Sequence, residues 1–186
     1  MKPALIIIDI QNDYFPGGKM ELAGSHEAGR QAAKLLEAFR AKNLPLVHIQ
    51  HVSNRPGAGF FLPDTEGVKI HARVAPRVGE TVLQKHFPNS FRGTPLLEQL
   101  RRLGIDNLVI AGMMTHMCVA ATTRAAFDLG FSCNLAHDAC ASRELAFGEQ
   151  RVPAPQVHAA FIAALSGLYA KVESAAAIAA EIGKKS

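Results

Sequence analysis

Short apolar runs alternate with longer amphipathic segments along the whole chain. Residues 4–8 are continuously apolar and lead into Asp9, and residues 108–111 repeat this arrangement before a break at Gly112. Unbroken apolar runs of this length are typical of parallel strands that are covered on both faces of a sheet. Between these runs, apolar residues recur every three or four positions, as in the segment 26–42, which favours amphipathic helices.

The pattern predicts six strands, at residues 4–9, 45–51, 81–84, 107–111, 131–136 and 168–172. It predicts helices at 26–42 with Ser25 as N-cap, at 94–102, at 116–129 up to Gly130, at 152–165, and from Ser174 to a frayed end at 184–186. This alternation predicts an α/β fold with three α/β/α layers. A mainly parallel, six-stranded, Rossmann-like sheet would carry helices on both faces, in a single domain over residues 1–186.

Composition and charge narrow the functional classes. The chain is 48% hydrophobic and 19% charged, which excludes a disordered protein. A net charge of +4 without a basic stripe does not support nucleic-acid binding, and no apolar run approaches the ~20 residues of a membrane span. The apolar run at 4–8 is too short for a signal segment, so we expect a cytoplasmic location, with no membrane partner. Three cysteines form no disulfide framework, and we expect Cys133 and Cys140 to be inert packing residues.

Three chemically active side chains follow predicted strands: Asp9, Lys85 and Cys118. Because the carboxyl ends of parallel strands meet at one edge of the sheet, we expect these groups to converge there. A carboxylate, an amine and a thiol together supply what acyl transfer to a thiol requires. Each residue also has an ordinary interpretation: Asp9 as a loop cap, Lys85 as a surface ammonium and Cys118 as a buried structural cysteine.

Cys118 occupies the first turn of the helix that follows residues 107–111. Unpaired backbone N–H groups and the helix dipole favour negative charge at such a position. We therefore predict that the Cys118 thiol ionises more easily than a free cysteine, and that it is a nucleophile.

Three segments of the chain carry a resemblance to a known family: LIIIDIQNDYF at 5–15, the Lys of VLQKHFPNSF at 82–91, and GMMTHMCVAATTRAA at 112–126. With these motifs the sequence resembles the isochorismatase-like cysteine hydrolase superfamily, which includes nicotinamidases and N-carbamoylsarcosine amidohydrolase. The resemblance covers nearly the full length, and the wording of the third motif is similar to streptothricin hydrolase-like proteins. It implies the isochorismatase-like hydrolase fold and cleavage of an amide, carbamoyl or lactam C–N bond in a small molecule.

The resemblance also implies roles for individual residues. Asp9 would be the general base, Lys85 the stabilising amine and Cys118 the nucleophile that forms a thioester. The backbone N–H groups of Met114 and Cys118 would form the oxyanion hole. Met113 and Thr115 would support that turn, with a cis peptide bond between Met113 and Met114. The family further implies a homodimer or homotetramer.

Other residues give expectations about substrate and metal. Phe15, Phe60, Phe87 and His116 are candidates for a substrate pocket, although Phe60 and Phe87 equally fit an ordinary core. The metal-binding Asp-x-His of nicotinamidases has no counterpart in the segment 48–53, and His48 and His51 should face opposite sides of their strand. We therefore expect no metal and no cofactor, and we expect His51 either to line the rim of the site or to pack beneath the cover. His137-Asp138 is expected to make a hydrogen bond to backbone rather than to catalyse.

Two alternatives from other functional classes remain open. The first is an isochorismatase-type vinyl-ether hydrolase in which Cys118 is incidental. The second is a non-catalytic or redox-responsive binding protein on the same fold. The long Gly- and Pro-rich segment 52–80 is expected to cover the site or to contact a partner.

Overall fold

The computed structural model describes residues 1–184. Its strands are β1 (Pro3–Ile8), β2 (Leu46–His51), β3 (Thr81–Lys85), β4 (Asn107–Met113), β5 (Ser132–Ala141), β6 (Leu145–Phe147), β7 (Gln150–Val152) and β8 (Lys171–Glu173). Its α-helices are α1 (Ser25–Ala41), α2 (Leu96–Arg102), α3 (Ala120–Asp128), α4 (Ala154–Leu165) and α5 (Ala175–Lys184). None of these helices has the length and apolar character needed to cross a bilayer.

Six strands form one parallel sheet in the order β3-β2-β1-β4-β5-β8. The chain builds outward from β1 in one direction and from β4 in the other. The order therefore reverses between these two strands, and a crevice opens beyond their carboxyl ends. The predicted three-layer α/β/α fold with a parallel six-stranded sheet is confirmed.

Alternate side chains of β1 enter two different hydrophobic layers. Leu5 and Ile7 pack into the layer formed with α1 and α5. Ala4, Ile6 and Ile8 pack into the layer formed with α2, α3 and α4. Because both faces are buried, the strand is apolar along its whole length, as the sequence indicates.

Close packing between β1 and β4 depends on Gly112. In this position a Cβ atom would lie 2.1 Å from the carbonyl oxygen of Ile8, and the residue adopts a φ of +143°, which side chains disfavour. Gly112 therefore does not end β4, which continues to Met113. Beyond a register shift that follows Ile110, Gly112 and Met113 pair with β5 again, which extends that strand to Ala141.

Several predicted boundaries are wrong by a few residues. Ser25 is not the N-cap of α1: it is the first helical residue, and Gly24 precedes it with a left-handed φ of 76°. The helix predicted from residue 116 begins instead with a π-helical turn over Thr115–Val119. The last strand starts at Lys171 rather than at residue 168. The antiparallel pair β6–β7 is an element that the pattern does not predict.

The beginning of α5 agrees with the sequence. The Ser174 hydroxyl accepts a hydrogen bond from the Ala177 N–H at 3.2 Å, which confirms its capping role. Asp138 accepts from the Ala175 N–H at 2.7 Å, so it contacts backbone as predicted. Lys185 and Ser186, in the predicted frayed end, lie outside the described residues.

Candidate active site

The structure brings Asp9, Lys85 and Cys118 together at the crevice between β1 and β4. Asp9 directly follows β1, Lys85 ends β3, and Cys118 lies in the π-helical turn after β4. The Lys85 Nζ donates to Asp9 Oδ2 at 2.6 Å and to Cys118 Sγ at 3.3 Å. The Asp9 and Lys85 side chains are completely buried, and Cys118 is 6% exposed.

The backbone around Asp9 is held by a buried glutamine. Asp9 adopts a φ of 50°, in the left-handed region that costs about 1–2 kcal/mol for an ordinary residue and less for Asp. Gln11 donates to the carbonyl oxygens of His51 at 2.9 Å and Val68 at 2.7 Å, and it accepts from the His51 N–H at 2.7 Å. These bonds fasten the loop after β1 to the end of β2.

His51 adds a fourth group to the cluster. Its Nδ1 lies 3.0 Å from Lys85 Nζ, so the three N–H bonds of the ammonium are directed at Asp9, Cys118 and His51. One potential metal ligand from each of these three residues lies within 4.8 Å of the others, a convergence that the sequence does not reveal. The Lys85 ammonium hydrogen-bonds to all three, so this donor set already surrounds a positive charge. His48 faces the other side of β2, as predicted, and contacts Glu80 at 3.0 Å.

Burial dominates the acid–base properties of the cluster. Burial raises the pKa of Asp9 above its usual range, although Lys85 opposes this shift. Burial alone would lower the pKa of Lys85, but the charge of Asp9 and the hydrogen bonds to Asp9 and Cys118 raise it overall and keep the amine protonated. Asp9 is therefore a stronger base than an exposed carboxylate, next to a permanent cation.

The predicted easy ionisation of Cys118 is corrected by the structure. Burial and then the carboxylate of Asp9 raise the pKa of the thiol, and these effects exceed the opposing effect of Lys85. A helix dipole contributes only about 0.3–1 kcal/mol, which is less than one pKa unit. The resting sulfur is therefore a neutral thiol beside an ion pair.

A cavity of about 240 Å³ opens above the sulfur. Aromatic, apolar and polar side chains line it: Tyr14, His51, Ser53, Asn54, Arg55, Phe60, Phe61, His86, Phe87, Pro88, Met114, Met117 and Cys118. Phe60 and Phe87 lie in this wall, where the sequence left a core role equally open. The segment 52–80 supplies much of the wall, so it covers the site.

Two predicted pocket residues lie elsewhere. Phe15 is buried in the core and stacks on His71, with ring centroids 3.6 Å apart. His116 turns away from the cavity, so that its Nδ1 lies 2.6 Å from the Ser142 hydroxyl and its ring contacts Phe161. His116 lies in the π-helical turn over Thr115–Val119, where the backbone departs from the α-helical period assumed for this residue.

The turn that contains Cys118 is joined to neighbouring elements by Thr115. The peptide bond between Met113 and Met114 is cis, as the family resemblance implies. The Thr115 hydroxyl lies 3.1 Å from the Ala141 carbonyl oxygen, to which it donates, and 2.9 Å from His158 Nδ1. Thr115 therefore ties the turn to both β5 and α4.

Sequence reasoning missed several residues that line the cavity, among them Tyr14, Phe61 and Arg55. Tyr14 lies inside the first motif and Phe61 adjoins Phe60, so both carried a signal that was available. Arg55 lies in a Gly- and Pro-containing stretch of the cover, and nothing in the sequence marked it as a site residue. Asp13 was also overlooked as a support: its carboxylate accepts from the Phe61 N–H at 2.6 Å and from the Lys19 N–H at 3.1 Å.

Comparisons with known proteins agree with this fold. The curated relative YddQ of Bacillus subtilis, an uncharacterised isochorismatase family protein, is 49% identical over 174 residues, which is 94% of this chain and 97% of the relative. A solved structure from Oleispira antarctica, described as that of an isochorismatase hydrolase, is 52% identical. It has a TM-score of 0.92 and coverage of 96% of both chains.

More distant relatives have named activities. A streptothricin hydrolase of Streptomyces noursei is 33% identical over 76% of this chain and 55% of its own length. The maleamate amidohydrolase of Pseudomonas putida is 33% identical over 70% of this chain and 68% of its own. The structure of N-carbamoylsarcosine amidase from Thermoplasma acidophilum is 26% identical, with a TM-score of 0.79 over 94% of this chain and 97% of its own. The sequence profile of the Isochorismatase domain matches residues 3–177, and the chain therefore belongs to the isochorismatase family of hydrolases.

Proposed function

We propose that this chain is a cysteine amidohydrolase that cleaves the C–N bond of a small amide, carbamoyl or lactam compound through a thioester on Cys118. The observation that carries the proposal is the hydrogen bonding of Lys85 to both Asp9 and Cys118 at the floor of a cavity. The relatives that are named as amidohydrolase or amidase support the same bond type.

In the proposed mechanism the first step moves a proton from sulfur to Asp9. Asp9 Oδ1 is buried and accepts no hydrogen bond from residues 1–184, so a lone pair remains to take the Cys118 proton. The Lys85 ammonium then pairs with the new thiolate, and it still donates a hydrogen bond to the Asp9 carboxyl group, which is now neutral. The thiolate attacks the substrate carbonyl carbon, and the C=O electrons move to the oxygen.

The second step breaks the C–N bond. The N–H groups of Met114 and Cys118 hold the oxyanion, and its collapse expels the amine, which takes the proton from Asp9. Water then attacks the thioester carbonyl carbon while Asp9 accepts its proton. The C–S bond breaks, the acid product leaves, and the proton on Asp9 returns to the sulfur to restore the thiol. Loss of one oxyanion donor in such a site costs about 10²–10³ in rate.

An ammonia-release screen over small amides, ureides and lactams tests the proposal, with mass spectrometry of intact protein to detect the acyl-enzyme. Cys118→Ala should abolish turnover and acylation and keep the fold. Cys133→Ala is the matched control, because that thiol is also buried but lies on β5. Undiminished turnover by Cys118→Ala would refute the proposal, and pyruvate release from isochorismate by the same variant would favour the vinyl-ether alternative.

A further inference from the structure

His51 presents a hydrogen-bond donor to the cavity because of its contact with Lys85. An ammonium can only donate, so the Nδ1 of His51, 3.0 Å from Lys85 Nζ, must be the acceptor. The ring proton of the neutral imidazole then resides on Nε2. No atom of residues 1–184 hydrogen-bonds to that Nε2, although the ring lines the cavity.

The imidazole keeps this form over the physiological pH range. Burial, followed by the charge of Lys85, lowers the pKa of His51 to about 3. The ring is therefore neutral, and its Nε2–H is a fixed donor on a residue that lines the same cavity as Cys118.

Arg55 contributes a positive charge to the same cavity. Its side chain is exposed, lines the cavity, and forms no ion pair within the described part of the chain. None of the lining residues is acidic. The nearest carboxylate below the sulfur is Asp9, whose charge is already paired with Lys85.

We propose that His51 and Arg55 form a subsite for an anionic oxygen group, so that the acyl substrate carries a carboxylate. This inference rests on the proposed function, since it assigns a substrate class to the same cavity. The His51 Nε2–H binds one carboxylate oxygen, and the Arg55 guanidinium supplies the compensating charge. The apolar walls of Phe60, Phe61 and Phe87 limit water around the His51 contact and strengthen it, whereas the exposed Arg55 acts as a charge that salt screens.

Alkylation of Cys118 by iodoacetate and by iodoacetamide tests the subsite without a known substrate. Both reagents form an S–C bond to the thiolate and release iodide, and they differ in carrying a carboxylate or a neutral amide. Peptide mass spectrometry gives the rate constant at Cys118, and the ratio of the two rate constants is compared with the ratio for glutathione. We expect the protein to favour iodoacetate over iodoacetamide about three- to tenfold more than glutathione does, and 1 M salt to reduce this preference.

Variants separate the two residues. Arg55→Gln should lower the preference to the glutathione ratio, whereas Arg102→Gln, an equal charge change on the exposed face of α2, should leave it unchanged. His51→Asn places an amide near the Nδ1 position and removes the cavity donor, so the preference should fall. His51→Gln places an amide N–H near the Nε2 position, so the preference should remain even if both rates change. A wild-type ratio equal to that of glutathione, or equal effects of the two His51 variants, would overturn the subsite.

Failure of this inference is distinguishable from failure of the proposed function. Turnover of neutral amides with no iodoacetate preference would overturn the subsite alone. A preference for iodoacetate without hydrolysis of any amide would overturn the amidohydrolase and leave an anion-binding cavity.

Discussion

Replacement of Lys85 by Met tests the central ion pair. Both charged groups of the Lys85–Asp9 pair are completely buried, at 2.6 Å from each other. The variant leaves the Asp9 carboxylate without a counter-charge, and its other oxygen already accepts no hydrogen bond from residues 1–184. Removal of one partner of a buried pair costs about 3–5 kcal/mol, so we expect the free energy of unfolding to fall by this amount at pH 7.

The loss should depend on pH with a definite sign. Burial already raises the pKa of Asp9, and loss of Lys85 removes the main opposing effect. A carboxyl group whose folded-state pKa lies above its unfolded value of about 3.9 destabilises the fold as pH rises through the folded pKa. Lys85→Met should therefore lose less stability at pH 5 than at pH 8.

Urea unfolding, monitored by circular dichroism at several pH values, measures both effects. The double variant Asp9→Asn/Lys85→Met contains no buried charge at this position and should recover at least half of the lost free energy. A loss below about 1 kcal/mol in Lys85→Met, or a double variant as unstable as the single one, would refute the reasoning.

Three further predictions concern the surroundings of the site. Gly112→Ala should cost more than about 3 kcal/mol in urea unfolding, because its Cβ would lie 2.1 Å from a β1 carbonyl oxygen at a φ of +143°; a loss below 1 kcal/mol would contradict this. Asp13→Asn should cost about 1–3 kcal/mol and speed alkylation of Cys118, since it weakens the bond to the Phe61 N–H; an unchanged alkylation rate would mean that this wall does not control access. Stability should fall above about pH 9, because burial raises the pKa of Cys133 to about 12 and unfolding releases that thiol's proton; a flat urea midpoint from pH 8 to 10 would oppose this.

The sheet was predictable because its signal is local. An apolar run such as residues 4–8 leaves few alternatives to a covered parallel strand, and the segments between the runs have helical periodicity. The same locality explains the failures. The extension of β5 to Ala141 depends on renewed pairing with β4 beyond a register shift, and no periodicity within β5 encodes that contact. The turn over Thr115–Val119 similarly departs from the α-helical period assumed for His116.

The convergence at the site was predictable in part. Asp9, Lys85 and Cys118 each follow a strand, so a parallel sheet places them at one edge. The contact between His51 and Lys85 depends on a strand register, and the position of Arg55 depends on the path of a long connection. Neither of these features has a sequence signature.

The charge state of Cys118 shows which effect prevails when two local rules disagree. Its place in the first turn of a helix favours the thiolate by less than one pKa unit, but burial and the adjacent Asp9 carboxylate favour the thiol more strongly. Lys85 does not reverse this preference for the neutral thiol, because its ammonium lies closer to Asp9 Oδ2, at 2.6 Å, than to Cys118 Sγ, at 3.3 Å. Lys85 has one positive charge and can balance only one buried negative charge. The Cys118 thiolate can therefore form without an unpaired buried charge only if Asp9 takes the proton and becomes neutral. In the proposed mechanism the geometry therefore couples Cys118 as nucleophile to Asp9 as base, and neither would be activated without the other.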